Sequence, residues 1–278
     1  MSSRNFGELL NAAWSNRRFL CVGLDPDIAK IPESVIGANP IERMLAFNRS
    51  IIDATHNVVG AYKPNSAFYE AYGAEGIMIL RDTIEYIHQT APDATVILDA
   101  KRADIGNTNN GYVTAAFDYL GADAITVHPY MGGEALAPFF ARKDKGVFVL
   151  CRTSNIHSDG LQDLIVDEKP LYMHVARMVA ELWNGNKNCG LVVGATYAKE
   201  LAIIRAVVGD MPILIPGIGA QGGDLTASVR AAKTSDDRGF IVNAGRSIMY
   251  ASADTDFAQA ACDEATALDS AIKKALVE

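Results

Sequence analysis

The sequence has few cysteines, and none of them falls into a motif. Cys21, Cys151, Cys189 and Cys262 are spread over 278 residues, with no CxxC and no Cys/His spacing of a zinc site. A disulfide scaffold is excluded, and reduced core thiols in a cytoplasmic protein are expected. No run approaches the roughly 18 consecutive apolar residues of a membrane span. The opening residues, MSSRNFGELLNAAW, are too polar for a secretory signal. Positive charge is not in excess. Lysine and arginine number 25 against 33 aspartates and glutamates, a net −8, so a polynucleotide backbone is a poor partner. The aromatic residues are scattered and offer no platform for stacking bases. No Pro/Gly/Ser-rich linker divides the chain.

What is present is ordinary globular composition, 49% apolar and 21% charged, which excludes disorder. The length allows either two average domains or one large α/β barrel. Short β-branched runs alternate with helical patterns from end to end. The runs are 19–25, 60–65, 95–102, 124–130, 146–153, 190–196, 212–219 and 240–247. Each is nearly continuous in apolar character through its first half, as in strands of a parallel sheet buried on both faces. Helices fit between them. One starts at Asn39-Pro40, with Asn39 as N-cap, Pro40 at N1 and Glu42 completing a capping box. Another carries Ile77, Leu80, Ile84 and Ile87 on one face. Further helical patterns cover 107–120, 133–142, 169–184, 198–208, 224–234 and 256–276. Eight βα units of about 35 residues match a single (β/α)₈ TIM barrel over 1–278, with an open doubly wound sheet as the alternative. Residues 3–16 are amphipathic and are expected to close the barrel bottom. The stretch 154–168 reads as a packed loop on the functional face, held by Leu161, Leu164 and Ile165.

Charges stand where a core strand should have none. In the third strand Asp99 and Lys101 are two apart and so point to the same side, at the C-terminal end where barrel active sites lie. Asp104 follows in the loop, and Lys63 ends the second strand. A lone buried charge costs on the order of several kcal/mol, so these must pair. The array is either a structural ion-pair network or a device that holds an ammonium proton against a developing carbanion. Carboxylate neighbours keep each ammonium charged, which argues against a Schiff-base lysine.

Glycines follow the seventh strand in Pro216-Gly217-Ile218-Gly219-Ala220-Gln221-Gly222-Gly223, and Gly245-Arg246 follows the eighth. These are the two loops that recurrently bind phosphate in this barrel. Arg246 offers a bidentate fork and Gln221 an amide donor. Asp25, ending the first strand, is either a helix cap or a ligand for sugar hydroxyls. His128 is either a general base or a packing residue, and His56, His88, His157 and His174 read as surface residues. Thr153-Ser154 closes the fifth strand and can contact a ligand.

LDAKRADIGNT (98–108) resembles the signature of the orotidine 5′-phosphate decarboxylases, specifically the type 2, longer bacterial subfamily. The resemblance extends through CVGLDPD (21–27), AYKPNSAFYEAYG (61–73), TVHPYMGGEAL (126–136), LCRTSN (150–155), IPGIGAQGGD (215–224) and NAGRSIMYAS (243–252). It implies conversion of orotidine 5′-phosphate to UMP and CO₂ in de novo pyrimidine synthesis, with no cofactor and no metal. It implies that Lys101 donates a proton to C6, that Asp99 lies beside the substrate carboxylate, and that Lys63 links the array to the ribose. Asp25 would bind ribose, Ser154 the pyrimidine edge, and Gln221, Gly245 and Arg246 the phosphate. Asp104 and Thr108 would enter the neighbouring site of a homodimer with shared active sites. Ala103 departs from the glycine usual in this subfamily, which matters little if that backbone avoids positive φ. The rival readings are a metal-dependent sugar-phosphate lyase of the same barrel superfamily and a catalytically silent nucleotide-binding protein.

Overall fold

A computed structural model describes residues 4–218 and 224–277. Eight parallel strands close into one barrel, in chain order around the ring. They are β1 (Leu20–Leu24), β2 (Val59–Pro64), β3 (Thr95–Arg102), β4 (Ala124–Val127), β5 (Gly146–Arg152), β6 (Cys189–Val193), β7 (Ile213–Pro216) and β8 (Phe240–Ala244). β1 pairs with both β2 and β8, which closes the ring and leaves the barrel sheet without an edge. The open-sheet alternative is therefore discarded. Every residue of β1, β2, β4 and β6 is buried, which is why these runs are apolar without alternation. The fourth strand ends at Val127, short of the expected 130, before Pro129, which has no N–H for a ladder.

The amphipathic opening forms the helix Phe6–Ser15, capped by the Asn5 side chain on the Glu8 N–H at 3.1 Å. It closes the bottom of the barrel. The Phe6 ring meets Phe148 edge-on at 5.7 Å, and Trp14 Nε1 donates to the Phe240 carbonyl at 2.8 Å. At the helix Pro40–Thr55 the Glu42 N–H donates to Asn39 Oδ1 at 2.9 Å. The reciprocal bond of the box shifts by one residue, from the Ala38 N–H to Glu42 Oε2 at 3.0 Å. The chain ends on the long helix Phe257–Val277, whose Phe257 packs on Phe47 of that earlier helix at 5.5 Å.

Three expectations are corrected. The segment after β5 is not held by its apolar residues, for Leu161, Leu164 and Ile165 are all more than half exposed. It folds as a one-turn helix, Asp159–Gln162, and a two-residue hairpin pairing Ile165–Val166 with Lys169–Pro170. Its buried contacts are polar, through Ser158 and Arg152. His88 is not a simple surface residue. It is partly buried, with Nε2 3.9 Å from the fully buried Asp123. Of the four thiols, Cys21, Cys151 and Cys189 are buried, while Cys262 is only half-buried on the last helix.

Candidate active site

The C-terminal ends of the strands surround a cavity of about 450 Å³, a size suited to a small ligand. Its charged lining comprises Asp25, Lys63, Asp99, Lys101 and Arg246.

Asp99 is the hub. Its Oδ2 accepts from Lys63 Nζ at 2.8 Å, and its Oδ1 accepts from Lys101 Nζ at 2.7 Å. Thr126, on β4, donates its hydroxyl to the same Oδ1 at 2.8 Å. Burial alone would raise the Asp99 carboxyl, but the two lysines outweigh it and hold the group well below the usual carboxylate range. Burial would likewise lower Lys63. Asp99 and Asp25 reverse this and hold its ammonium charged far above neutral pH. The Asp25 carboxyl is pushed up from its ordinary value, chiefly by burial.

Lys101 reaches the site through an irregular backbone. The β3–β4 register shifts between Leu98 and Arg102, and Lys101 sits at φ +47°. A lysine held in the left-handed region costs on the order of 1 kcal/mol or more. The Lys101 N–H donates to Thr126 Oγ1 at 3.0 Å, so one threonine fixes both the strained backbone and the carboxylate that faces its ammonium. The lysine side chain is half exposed, unlike Lys63, and so meets whatever enters the cavity. Ala103 is not among the residues at positive φ, so its departure from glycine carries no strain.

The two readings of Asp25 are separated here. The cap of the short helix Ile28–Lys30 is Asp27, whose side chain accepts from the Ala29 N–H at 3.1 Å. Asp25 lines the cavity instead, and its Oδ1 is buried with no partner among the described residues. Asn243 Oδ1 and Ser247 Oγ share that condition. All three residues line the cavity. Arg246 is exposed beside them, after Gly245. Gly217 has φ +99°, a conformation that strains any side chain, and lines the cavity with Ile218 just after β7. Gly23 of β1 lies so close to Gly245 that a Cβ there would stand 3.1 Å from the Gly245 Cα. Gln221 and the remaining glycines, Gly219, Gly222 and Gly223, lie outside the described residues.

On the opposite wall Thr153, Ser154, Asn155 and Gln162 line the cavity, with Leu150, Val192, Leu214 and Ile218 as its apolar surface. Asp104 and Thr108 do not reach it. Asp104 Oδ1 accepts from the Ile105 N–H at 2.6 Å, and Thr108 is exposed on the helix Gly106–Val113. His128 is half-buried and does not line the cavity. The sequence reading missed Thr126, Asn243, Ser247 and Gln162. Asn243 and Ser247 flank Gly245-Arg246 and could have been found there. Thr126 and Gln162 look like ordinary strand and loop residues.

Residues 18–261 match the model of the orotidine 5′-phosphate decarboxylase / HUMPS family. The chain is 50% identical over 257 residues to an orotidine 5′-phosphate decarboxylase of Janthinobacterium sp. (strain Marseille), covering 92% of this chain and 93% of that one. It is 51% identical, with the same coverage, to its counterpart in Cupriavidus metallidurans. Among solved structures it resembles the OMP decarboxylase of Leishmania donovani, at 40% identity and a TM-score of 0.82, covering 95% of this chain and 98% of that one. With half its residues identical over nearly the full length of such relatives, the chain belongs to the orotidine 5′-phosphate decarboxylase / HUMPS family, and its enzyme class is that of the decarboxylases.

Proposed function

We propose that the chain converts orotidine 5′-phosphate to UMP and CO₂ in de novo pyrimidine synthesis, as a type 2 enzyme that needs neither metal nor cofactor. The observation that carries this is the Lys63–Asp99–Lys101 chain in the cavity, with a half-exposed ammonium at its end. The phosphate docks on Arg246 and Gly245, with Gln221 as the amide donor that the family resemblance implies. Asp25 takes ribose hydroxyls on its orphaned oxygen, and Ser154 meets the pyrimidine edge. The C6–carboxylate bond then breaks, and its electron pair stays on C6. The Lys101 ammonium stabilises that charge and transfers its proton to C6, and solvent reprotonates the amine. Asp99, held anionic between two lysines, fixes Lys101 before the charge develops, so little reorganisation accompanies the reaction. Binding energy from the phosphate, remote from C6, orders the site.

Asp104 and Thr108 complete the neighbouring site in a homodimer. Their position outside their own cavity supports this. So do Ile105, Tyr130 and Ile156, which are 60%, 85% and 85% exposed after the adjacent strands β3, β4 and β5. Such apolar exposure on one end of a barrel suits a protein partner, here a second copy. Buried free thiols fit a reducing cytoplasm.

The test follows loss of orotidylate absorbance with and without chelator. Turnover unaffected by chelator, abolished in Lys101→Ala and partly restored when Lys101→Ala and Asp104→Ala subunits exchange supports the reading. Metal dependence, or near-normal activity in Lys101→Ala, refutes it. No recovery under demonstrated exchange refutes the shared site.

A further inference from the structure

The ladder between β1 and β8 ends at the pair Val22 and Ala244. Asp25 and Arg246 both lie beyond that last rung, so the sheet itself does not set their separation. Backbone groups past a strand end lose their ladder partners and need others. Around Asp25 two side chains supply them, and both follow directly from Arg246. One is Met249, which ends the turn Arg246–Met249, and the other is Tyr250. The Asp25 N–H donates to Met249 Sδ at 3.2 Å. The Tyr250 hydroxyl donates to the Asp25 carbonyl at 3.1 Å and accepts from the Asp27 N–H at 2.7 Å.

These anchors are themselves held. Met249 is fully buried. The Tyr250 ring stacks on Phe47 at 5.8 Å, and the Tyr250 N–H donates to the Arg246 carbonyl at 3.1 Å. Burial pushes the Tyr250 phenol up to about 12, so the hydroxyl keeps the proton it donates. The Asp25 carboxyl also receives the Asn65 N–H, but that bond ties it to the end of β2 and leaves Arg246 out. On the other side the carboxyl lies close to the Arg246 turn, for a Cβ at Gly245 would stand 3.8 Å from Asp25 Oδ2.

We propose that Tyr250, with Met249 beside it, is a positioning residue that fixes the Asp25 carboxylate relative to Arg246, so that sugar hydroxyls and phosphate are held at one set separation. This rests on the proposed function, in which Asp25 takes the ribose and Arg246 the phosphate. Neither Tyr250 nor Met249 lines the cavity, so both act through the Asp25 backbone. Two contacts on a rigid frame reinforce one another. Once the phosphate seats on Arg246, the hydroxyls arrive where Asp25 already stands. Without the frame, Asp25 must be ordered by the ligand, and that cost weakens binding. A ligand without sugar hydroxyls gains nothing from the frame.

The experiment titrates UMP and 2′,3′-dideoxy-UMP calorimetrically onto the unmutated protein, Tyr250→Phe and Met249→Leu. Phenylalanine keeps the stack on Phe47 and loses only the hydroxyl. In Tyr250→Phe, UMP should bind about tenfold more weakly, while the dideoxy analogue stays within about twofold. Met249→Leu should show the same selective loss, smaller because sulfur is a weak acceptor, and it decides the matter where Tyr250→Phe fails to fold. Equal weakening of both nucleotides overturns the proposal, since that reports damage to the Arg246 turn alone. Unchanged UMP binding in folded Tyr250→Phe also overturns it. If the unmutated protein binds both nucleotides equally, or does not turn over orotidylate, the proposed function itself is refuted.

Discussion

Thr126→Val tests whether the site depends on its hub being held in place. Valine keeps the shape of threonine and removes one hydroxyl from a position that is 1% exposed. Two bonds go with it, the 2.8 Å bond to Asp99 Oδ1 and the 3.0 Å bond from the Lys101 N–H. A hydrogen bond to a charged group contributes about 1.5–3 kcal/mol, and a neutral one about 1 kcal/mol. Asp99 keeps both lysines, so it stays ionised. What is lost is the anchor that holds Lys101 at φ +47°, and the backbone can relax toward ordinary strand geometry. That relaxation returns on the order of 1 kcal/mol to the folded state, so the net destabilisation is about 1–3 kcal/mol. On the proposed mechanism the relaxation is a pure loss for catalysis, because the ammonium moves off the position where charge would develop. A cost of about 1.4–2.8 kcal/mol corresponds to roughly 10- to 100-fold in kcat. KM should change little, because Arg246 and Asp25, the proposed phosphate and ribose ligands, are untouched. Steady-state kinetics on orotidylate, with thermal melts as control, give the answer. A kcat within twofold of the unmutated enzyme would show that Thr126 only packs, and would refute the argument.

Other consequences follow from the same geometry. His88 is held neutral, its pKa pushed down to about 4 from 6.5 by burial first and by Arg4 second, with Asp123 opposing. The unfolded chain therefore binds more protons between those values, stability falls as pH drops through about 6.5 to 4, and the loss approaches about 3 kcal/mol. His88→Gln should flatten that part of the stability–pH curve, and an unchanged slope would refute the assignment. Asp123→Asn strips the charge that pairs with Arg4 at 2.8 Å on a fully buried group, and should destabilise by about 3–5 kcal/mol while kcat at a permissive temperature is unchanged. Loss of activity in the folded variant would contradict its assignment to structure. Arg205 donates to the carbonyls of Ala232 at 2.6 Å, Met211 at 2.8 Å and Gly239 at 2.5 Å. Arg205→Met leaves these buried acceptors unfilled and should cost at least about 3 kcal/mol, seen as a Tm lower by roughly 6–12 °C. A Tm within two degrees would show that water replaces the guanidinium at no cost.

The barrel was legible because strands buried on both faces leave a continuous apolar run, and eight such runs alternate with amphipathic helices. Asp99 and Lys101 were legible because charge is out of place in such a run. Their convergence was read from the two-residue period of a regular strand. In the folded chain it depends on a register shift and a left-handed lysine that no periodicity announces. Thr126 was hidden because an inward threonine on a strand is unremarkable until the carboxylate beside it is known. The apolar wall of Leu150, Val192 and Leu214 was hidden because a side chain lining a cavity and one filling a core obey the same pattern. The segment after β5 was misjudged for a related reason. Leucine and isoleucine suggest packing, but here Arg152 supplies the attachment and leaves the apolar side chains outside.

The protein carries two ion clusters built from the same residue types, one at each end of the barrel, and their difference separates scaffold from site. At the bottom, Asp123 Oδ2 accepts from the Val96 N–H at 2.9 Å and from Arg4 at 2.8 Å, and Oδ1 accepts from Arg4 Nε at 2.9 Å. Both of its oxygens are satisfied within the fold, on regular backbone, and the orphaned atom beside it among the described residues, His88 Nε2, is remote from the cavity. At the top, Asp99 is satisfied, yet its neighbours are not. Asp25, Asn243 and Ser247 keep buried polar atoms without partners among the described residues, and Lys101 sits in a strained conformation. Each orphaned atom costs on the order of 1–3 kcal/mol in the unliganded protein. A fold selected for stability alone would have filled these positions with apolar side chains, since buried ionic groups gain little over good packing. On the proposed function, the free energy held in them is recovered when the hydroxyl and anionic groups of the substrate enter. The acidic balance of the chain does not oppose this, because Lys63, Lys101 and Arg246 outnumber Asp25 and Asp99 around the cavity and make it locally cationic in an otherwise anionic protein.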